Sequence, residues 1–309
     1  MKPYHHLFKN KLIIIILLYG VLTYIFLNYN CSSNLDIQGS GCKELSPQYH
    51  FKSSIPNKRR TIIGIPSSKR KNQTYLFQTL RTLFEDKDVL TNKYMFIVML
   101  STFDVAWKTS MVSNLQMDFS SQIHSGILQI ISPEMHFYPQ ETLQAFRGEK
   151  RKDYLIWRSK QNMDYAYLYR YVYQKFNFKY FLQLEDDVIA TSSYLSKMEP
   201  FIQKHEYLDE WIFMHFCRLG AIAKLFRKSD MPVLSEMFQS FYSSIPCDWI
   251  ISLFSNGKSF GCALDTRFST SKKDSICMWK LFPTINHSLF QHIGVESSLL
   301  GKKNSMIRI

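Results

Sequence analysis

Phe181-Leu182-Gln183-Leu184-Glu185-Asp186-Asp187 is an apolar run that ends abruptly in three consecutive carboxylates. A short apolar run bounded in this way reads as a buried strand, which puts the triplet at the strand's carboxyl end. Adjacent like charges repel one another and resist desolvation. In open α/β sheets, ligands bind outside the carboxyl ends of strands. A hard divalent cation would neutralise the triplet and complete its oxygen shell with phosphate, so a nucleoside diphosphate is the partner this chemistry implies. The plainer reading is a solvated acidic turn, because three carboxylates after a strand are by themselves a weak motif.

Outward from that stretch, apolar runs alternate with amphipathic ones. Thr61–Ile65, Tyr94–Leu100, Ile127–Ile131, Tyr180–Leu184 and Trp211–Phe216 read as strands. Leu76, Leu80, Leu83 and Phe84 fall at helical spacing, as do Val112, Leu115 and Phe119. Asn162–Phe176 reads as a further helix, and Val233–Tyr242 and Cys247–Phe254 as shorter ones. Strands separated by helices predict an α/β fold with crossovers and much parallel pairing. Residues 255–285 are polar and are expected to form a long loop. One globular domain over residues 61–301 fits a single α/β unit, followed by a basic tail at 302–309.

The N-terminus reads differently. Leu12–Leu27 is an uncharged run of 16 residues that Asn28 and Tyr29 extend to 18, the short end of the roughly 17–25 a spanning helix needs. Lys2, Lys9 and Lys11 precede it and no further basic residue follows until Lys43, so residues 1–11 are expected in the cytosol and the remainder in the lumen. A cleaved signal peptide would have a shorter apolar core ending in small residues, whereas this run is bulky to its end. The expectation is a signal-anchor at 12–29, a polar stem at 30–60 and a single-pass type II protein. A short span suits the thinner membranes of the early secretory pathway.

The chain's net charge is +13, of which residues 1–60 hold +6 and residues 301–309 hold +3. The body keeps only +4, which argues against nucleic acid as a partner. A hydrophobic fraction of 46% with 20% charged residues excludes both a disordered chain and a polytopic membrane protein. All six cysteines lie beyond the apolar run, where disulfides form. Cys262 and Cys277 bracket a polar stretch like a loop clasp, while Cys217 and Cys247 read as buried thiols. Sequons stand at Asn30, Asn72 and Asn286. Asn30 lies at the membrane surface, and Asn72, in a polar loop, is the site expected to carry a glycan.

Several ordered blocks resemble the N-acetylglucosaminyltransferase IV family, the alpha-1,3-mannosyl-glycoprotein 4-beta-N-acetylglucosaminyltransferases, and within it the C-type isoenzyme most. They are Ile63-Gly64-Ile65-Pro66 with Lys69-Arg70, Ile131-Ser132-Pro133 with Tyr138-Pro139, Arg158 through Tyr165, and Gln183 through Asp187. Further on come Leu219-Gly220, Pro246-Cys247-Asp248-Trp249, and Ser288 through Gly294 with Ser297-Ser298. The resemblance implies a GT-A-like fold, UDP-N-acetylglucosamine as donor, Mn²⁺, and a mannose arm of a glycoprotein N-glycan as acceptor, in the Golgi membrane.

Carried over residue by residue, the resemblance makes Asp187 the metal ligand and sets Glu185 and Asp186 on the ribose side or the metal's water shell. It places Lys69, Arg70, Arg158 and His292 at the nucleotide; Lys160 stands either at the diphosphate or on a solvated helix face, where Asp164 four positions on would pair with it. An inverting transferase needs a carboxylate to take the acceptor hydroxyl's proton, and Asp248 is the candidate; the plainer reading of Asp248 is a helix cap.

Some positions depart from the family. His215 stands where relatives have glutamate, Cys217 where they usually have serine, and Ser252 where the A and B isoenzymes have a second aspartate. Ser101-Thr102-Phe103-Asp104 replaces a more polar segment, and the resemblance stops before the family's C-terminal lectin-like domain. Two readings follow: a branching transferase, or a catalytically weak or inactive relative that binds and modulates other N-glycan glycosyltransferases.

Overall fold

The computed structural model describes residues 59–91, 93–139, 150–208, 210–259, 280–299 and 302. The expected membrane segment, nearly all of the stem, Asn30, the Cys262/Cys277 pair and the tail beyond Lys302 lie outside the described residues. Among the described residues no helix is long and apolar enough to cross a membrane.

Strands β1 (Thr61–Ser67), β2 (Tyr94–Leu100), β3 (Leu128–Ile131) and β4 (Tyr180–Gln183) form the parallel part of a six-stranded sheet. The antiparallel strands β7 (Lys224–Arg227) and β6 (Met214–His215) complete it, in the order β3-β2-β1-β4-β7-β6. A separate two-stranded ribbon pairs β5 (Val188–Ala190) with β8 (Phe290–His292). The fold is therefore α/β with a largely parallel sheet, as the alternation of elements predicts.

Both faces of the sheet are covered, which is why its strands read as continuous apolar runs. Ile63, Ile65, Phe96, Val98, Leu128, Ile130 and Leu182 share one core with α1 (Leu76–Phe84), α2 (Val105–Asp118) and α5 (Tyr194–Glu206). The short α3 (Ser120–His124) follows α2. Against the opposite face, Tyr169 of α4 (Lys150–Lys175) packs on Phe181 and Phe226 at 5.0 and 6.0 Å between ring centroids. Gly64 leaves room for the Phe181 ring, since a Cβ there would lie 2.4 Å from Phe181 Cζ. Next to α4 runs α6 (Met231–Ser240), followed by α7 (Cys247–Lys258).

Three elements differ from their sequence expectations. The strand expected at Trp211–Phe216 shrinks to Met214–His215, which pair with β7, while Ile212 N–H bonds Leu281 O instead of a neighbouring strand. The helix expected from Asn162 starts at Lys150. The one expected around Val112 starts at Val105, where the Asp104 carboxylate caps it by accepting from Trp107 N–H at 2.9 Å. Strand β7 and helix α5 were not legible: Lys224–Arg227 is too short for a period, and Pro200 interrupts the helical pattern of α5.

Candidate active site

The sheet order places β2 on one side of β1 and β4 on the other. Chains leaving the carboxyl ends of β1 and β4 therefore part there, and a crevice opens between them. It is open to solvent and is bordered by Ser68, Arg70, Trp157, Lys160, Ser298 and the acidic triplet.

The triplet is tied down by Arg70. Its guanidinium donates to both Asp186 oxygens at 2.7 Å and to Asp187 Oδ2 at 3.0 Å, while its Nε holds Glu296 O at 3.0 Å. Ser67 Oγ adds a bond to Asp186 Oδ2 at 2.5 Å. Both oxygens of Asp186 are thus engaged within the protein, as is the Arg70 fork. The pair expected to face the nucleotide forms a buried clamp that fixes the triplet's backbone and lowers its charge. Burial still outweighs Arg70 at Asp186, whose carboxyl sits above the usual range.

Asp187 is placed by the ribbon. Val188 pairs with His292, and Ile293 N–H bonds Asp187 O at 2.9 Å, so the closing segment runs beside the triplet. At Gly294 a Cβ would lie 1.9 Å from Asp187 Oδ2, so only glycine fits there. Single oxygens of Glu185 and Asp187 and a ring nitrogen of His292 lie within 4.8 Å of one another, with His292 Nε2 3.4 Å from Asp187 Oδ2. The buried Asp187 Oδ1 has no hydrogen-bond partner. Burial and the neighbouring Asp187 push Glu185 up to about 7, so two carboxylates here have more negative charge than their surroundings neutralise. Two carboxylates, one imidazole and an orphaned inward oxygen fit a hard or borderline divalent cation. His292, expected at the phosphates, belongs to this cluster.

Lys160 does not stand on a solvated helix face. Its ammonium is buried, bonds both oxygens of Asp164 at 3.0 and 2.8 Å and also reaches Ser101 O. Tyr138 donates to Asp164 at 2.6 Å. Lys69 lies at the rim, paired with Asp104 at 2.6 Å. Asn72, Gln73 and Thr74 are all exposed beside it, and Asn286 is exposed as well.

The other edge of the crevice is built by the turn of α4 that also lines it. Arg158 donates to Ser243 O, and the buried Asn162 Nδ2 donates to Tyr242 O and Ile245 O at 2.8 Å each. Arg158 thereby holds the chain leading into α7 and is not among the residues bordering the crevice. Asp248 lies in the first turn of α7, exposed, and its side chain does not cap the helix. Its charge and that of Glu185 are both felt at Cys247, whose thiol burial pushes up to about 12, and at Lys224. Lys224 is pushed down to about 8 by burial; its ammonium reaches Gly220 O and lies 3.5 Å from His215 Nδ1. Burial and Lys224 in turn hold His215 down to about 4, so its ring is neutral. Cys217 and Cys247 are free thiols.

Asn162 falls inside the Arg158–Tyr165 block, whereas Ser67, Lys224 and Glu296 are isolated polar residues and carry no periodic signal in the sequence. Gly294 had one: a glycine two residues after a candidate ligand marks a close backbone approach.

The MGAT4 conserved region matches residues 25–309. The chain is 34% identical over 243 residues to alpha-1,3-mannosyl-glycoprotein 4-beta-N-acetylglucosaminyltransferase B of Danio rerio, covering 78% of this chain and 43% of that protein. It is 32% identical over 249 residues to the A enzyme of Rattus norvegicus, at 78% and 44%. The chain thus spans less than half the length of these relatives. Among solved structures, mouse xyloside xylosyltransferase 1 gives a TM-score of 0.40 at 10% identity over 76% of this chain and 97% of that one. S. aureus TarS 1-349 with UDP-GlcNAc gives 0.34 at 9%, over 56% and 47%. These structural likenesses are weak, and the fold rests on the sheet itself.

Proposed function

The chain belongs to the family of alpha-1,3-mannosyl-glycoprotein 4-beta-N-acetylglucosaminyltransferases, and we propose that it transfers N-acetylglucosamine from UDP-N-acetylglucosamine to a mannose arm of glycoprotein N-glycans. Transfer forms a beta-1,4 branch with inversion and depends on a divalent metal, for which Mn²⁺ is the natural candidate. The reading includes a GT-A-like domain held in the lumen of the Golgi by the Leu12–Leu27 anchor, with a glycan on Asn72.

The observation that carries this reading is the Glu185, Asp187 and His292 cluster at the switch point, with its unpartnered Asp187 Oδ1. These three residues would hold the metal, whose charge would stabilise the departing diphosphate in place of a general acid. Arg70 and Ser67 keep the triplet rigid through Asp186, so little reorganisation is needed as the leaving group develops charge. Asp248, with no side-chain partner among the described residues, is free to accept the proton of the attacking acceptor hydroxyl. Lys160 and Asp164 form a buried ion pair on the crevice wall that orders Ser101 and Tyr138.

The second reading, a weak or inactive relative that modulates other glycosyltransferases, is favoured by one feature. Lys224 meets a neutral imidazole at His215, where a carboxylate would neutralise it. Incubating the protein with UDP-N-acetylglucosamine, Mn²⁺ and a panel of N-glycans separates the two. Mass spectrometry is expected to find one added N-acetylglucosamine on a mannose arm. Donor binding without any addition across the panel would leave the modulator reading.

A further inference from the structure

Three described tryptophans have structural employment. Trp211 is 1% exposed, Trp107 packs against the core, and Trp157 donates its indole N–H to Ser298 Oγ at 2.9 Å. Trp249 is different. It is 63% exposed, and among the described residues its ring has no aromatic, cation or hydrogen-bond partner. Tryptophan has the largest apolar surface of any side chain and is highly buried on average, so an isolated indole in water costs stability that packing does not return.

Its position is built with care. The buried face of α7 is Ile250, Ile251, Phe254 and Ser255. Asp248, Trp249 and Ser252 are all exposed, and spacings of three and four put Ser252 beside each of the other two on one helix surface. The chain entering α7 is bracketed from α4 by Arg158 on Ser243 O and by Asn162 on Tyr242 O and Ile245 O. That same stretch of α4 supplies Trp157, Lys160 and Gln161 to the crevice wall. Lys224 lies within electrostatic reach of both Glu185 and Asp248, and the bracket from α4 sets the start of α7 beside the helix that lines the crevice.

We propose that Trp249 is the stacking platform for the acceptor, and that the Arg158–Asn162 bracket holds it in register with Asp248. A pyranose ring presents one face made of C–H groups and a rim of hydroxyls. The flat indole takes the C–H face, and the hydroxyl rim is then aimed at the carboxylate one residue away. Packing a sugar on an aromatic ring removes apolar surface from water on both partners without burying a hydroxyl. Trp249 is thus a binding residue for the acceptor alone, and Asn162 a positioning residue that acts through it. This assignment rests on the transferase reading for the identity of the ligand, a mannose-bearing N-glycan.

The test uses the full chain and measures binding, so it does not need turnover. A free N-glycan with terminal α-mannose arms is titrated by calorimetry in the presence of UDP and Mn²⁺, and UDP is titrated separately with Mn²⁺. Trp249→Ala is expected to weaken glycan binding at least tenfold, with UDP binding within twofold of the parent and an unchanged melting temperature. Trp249→Phe should recover most of the loss, because it keeps a flat ring. Where transfer is measurable, the acceptor KM should rise in Trp249→Ala with kcat and the donor KM nearly constant. Asn162→Ala should also weaken glycan binding while sparing UDP.

Glycan binding within twofold of the parent in Trp249→Ala overturns the platform, and so does a parallel loss of UDP and glycan. A parent that binds UDP with Mn²⁺ but no glycan overturns it too, leaving the donor site standing. Glycan bound through Trp249 without any transfer supports the platform and removes the transferase reading instead.

Discussion

The Arg70 wall of the crevice and the acceptor wall proposed on α7 are built on opposite principles. On the first, Asp186 and the Arg70 fork are fully engaged: Arg70 joins Asp186, Asp187 and Glu296, and Ser67 joins Asp186. On the second, Asp248 and Trp249 stand exposed without side-chain hydrogen-bond partners among the described residues, and the backbone leading to them is tied. A wall that must hold a divalent cation and a diphosphate gains from charges fixed in advance. A wall that must admit a glycan gains from a surface that presents a ring and a carboxylate and keeps them accessible. Substitutions on the first wall should therefore cost stability, and those on the second should cost function alone.

The sharpest break of that contrast is Arg70→Met. It leaves Asp186 and Asp187 buried without their cation, and removing one partner of a buried pair costs about 3–5 kcal/mol. Urea unfolding without metal should register this loss. Arg70→Lys should recover only part of it, because an ammonium cannot reproduce the two-pronged contact.

Next is Asn162→Ala, which strips two half-buried carbonyls of their donor. Unsatisfied groups of this kind cost about 1–3 kcal/mol, and the same urea titration measures it. A loss this size beneath the exposed wall, with UDP binding retained, would sharpen the distinction between its tied backbone and its free side chains.

A smaller and pH-dependent effect is expected at His215, which the native state holds down to about 4. Between pH 6.5 and 4 the unfolded chain takes up a proton that the native imidazole refuses, so stability falls as pH drops through that window. With each pKa unit worth about 1.4 kcal/mol, His215→Gln should shrink the stability difference between pH 7.5 and 4.5 by about 2 kcal/mol. An unchanged acid limb would show that the ring is protonated beside Lys224 after all.

The least effect on stability belongs to Asp248→Asn, an exposed change expected to stay within about 0.5 kcal/mol. UDP binding should persist and transfer should stop. Retained transfer would remove Asp248 from the role of base.

The contrast also explains what the sequence discloses. The parallel strands were legible because two covered faces demand unbroken apolar runs, and β2 appears at Tyr94–Leu100 as its seven apolar residues imply. The triplet was legible because three carboxylates after such a run need an explanation. Strand β6 was overestimated because Trp211 is buried against Tyr180 and Arg227, and Phe213 against Phe226 and Phe282, and burial alone does not make a ladder. Arg70 was placed at the crevice by its motif, but its partners could not be read, since the Asp186 contact joins residues 116 positions apart. His292 reaches the metal cluster only through the β5–β8 ribbon, whose strands are too short to leave a period.

The account stands on the switch-point cluster as a joint site for a metal and a nucleoside diphosphate, and calorimetry of UDP with and without Mn²⁺ tests that most directly. The prediction is one UDP site that appears only when Mn²⁺ is present and is lost in Asp187→Asn. No UDP binding in the presence of Mn²⁺, or equal binding by the parent and Asp187→Asn, would contradict it.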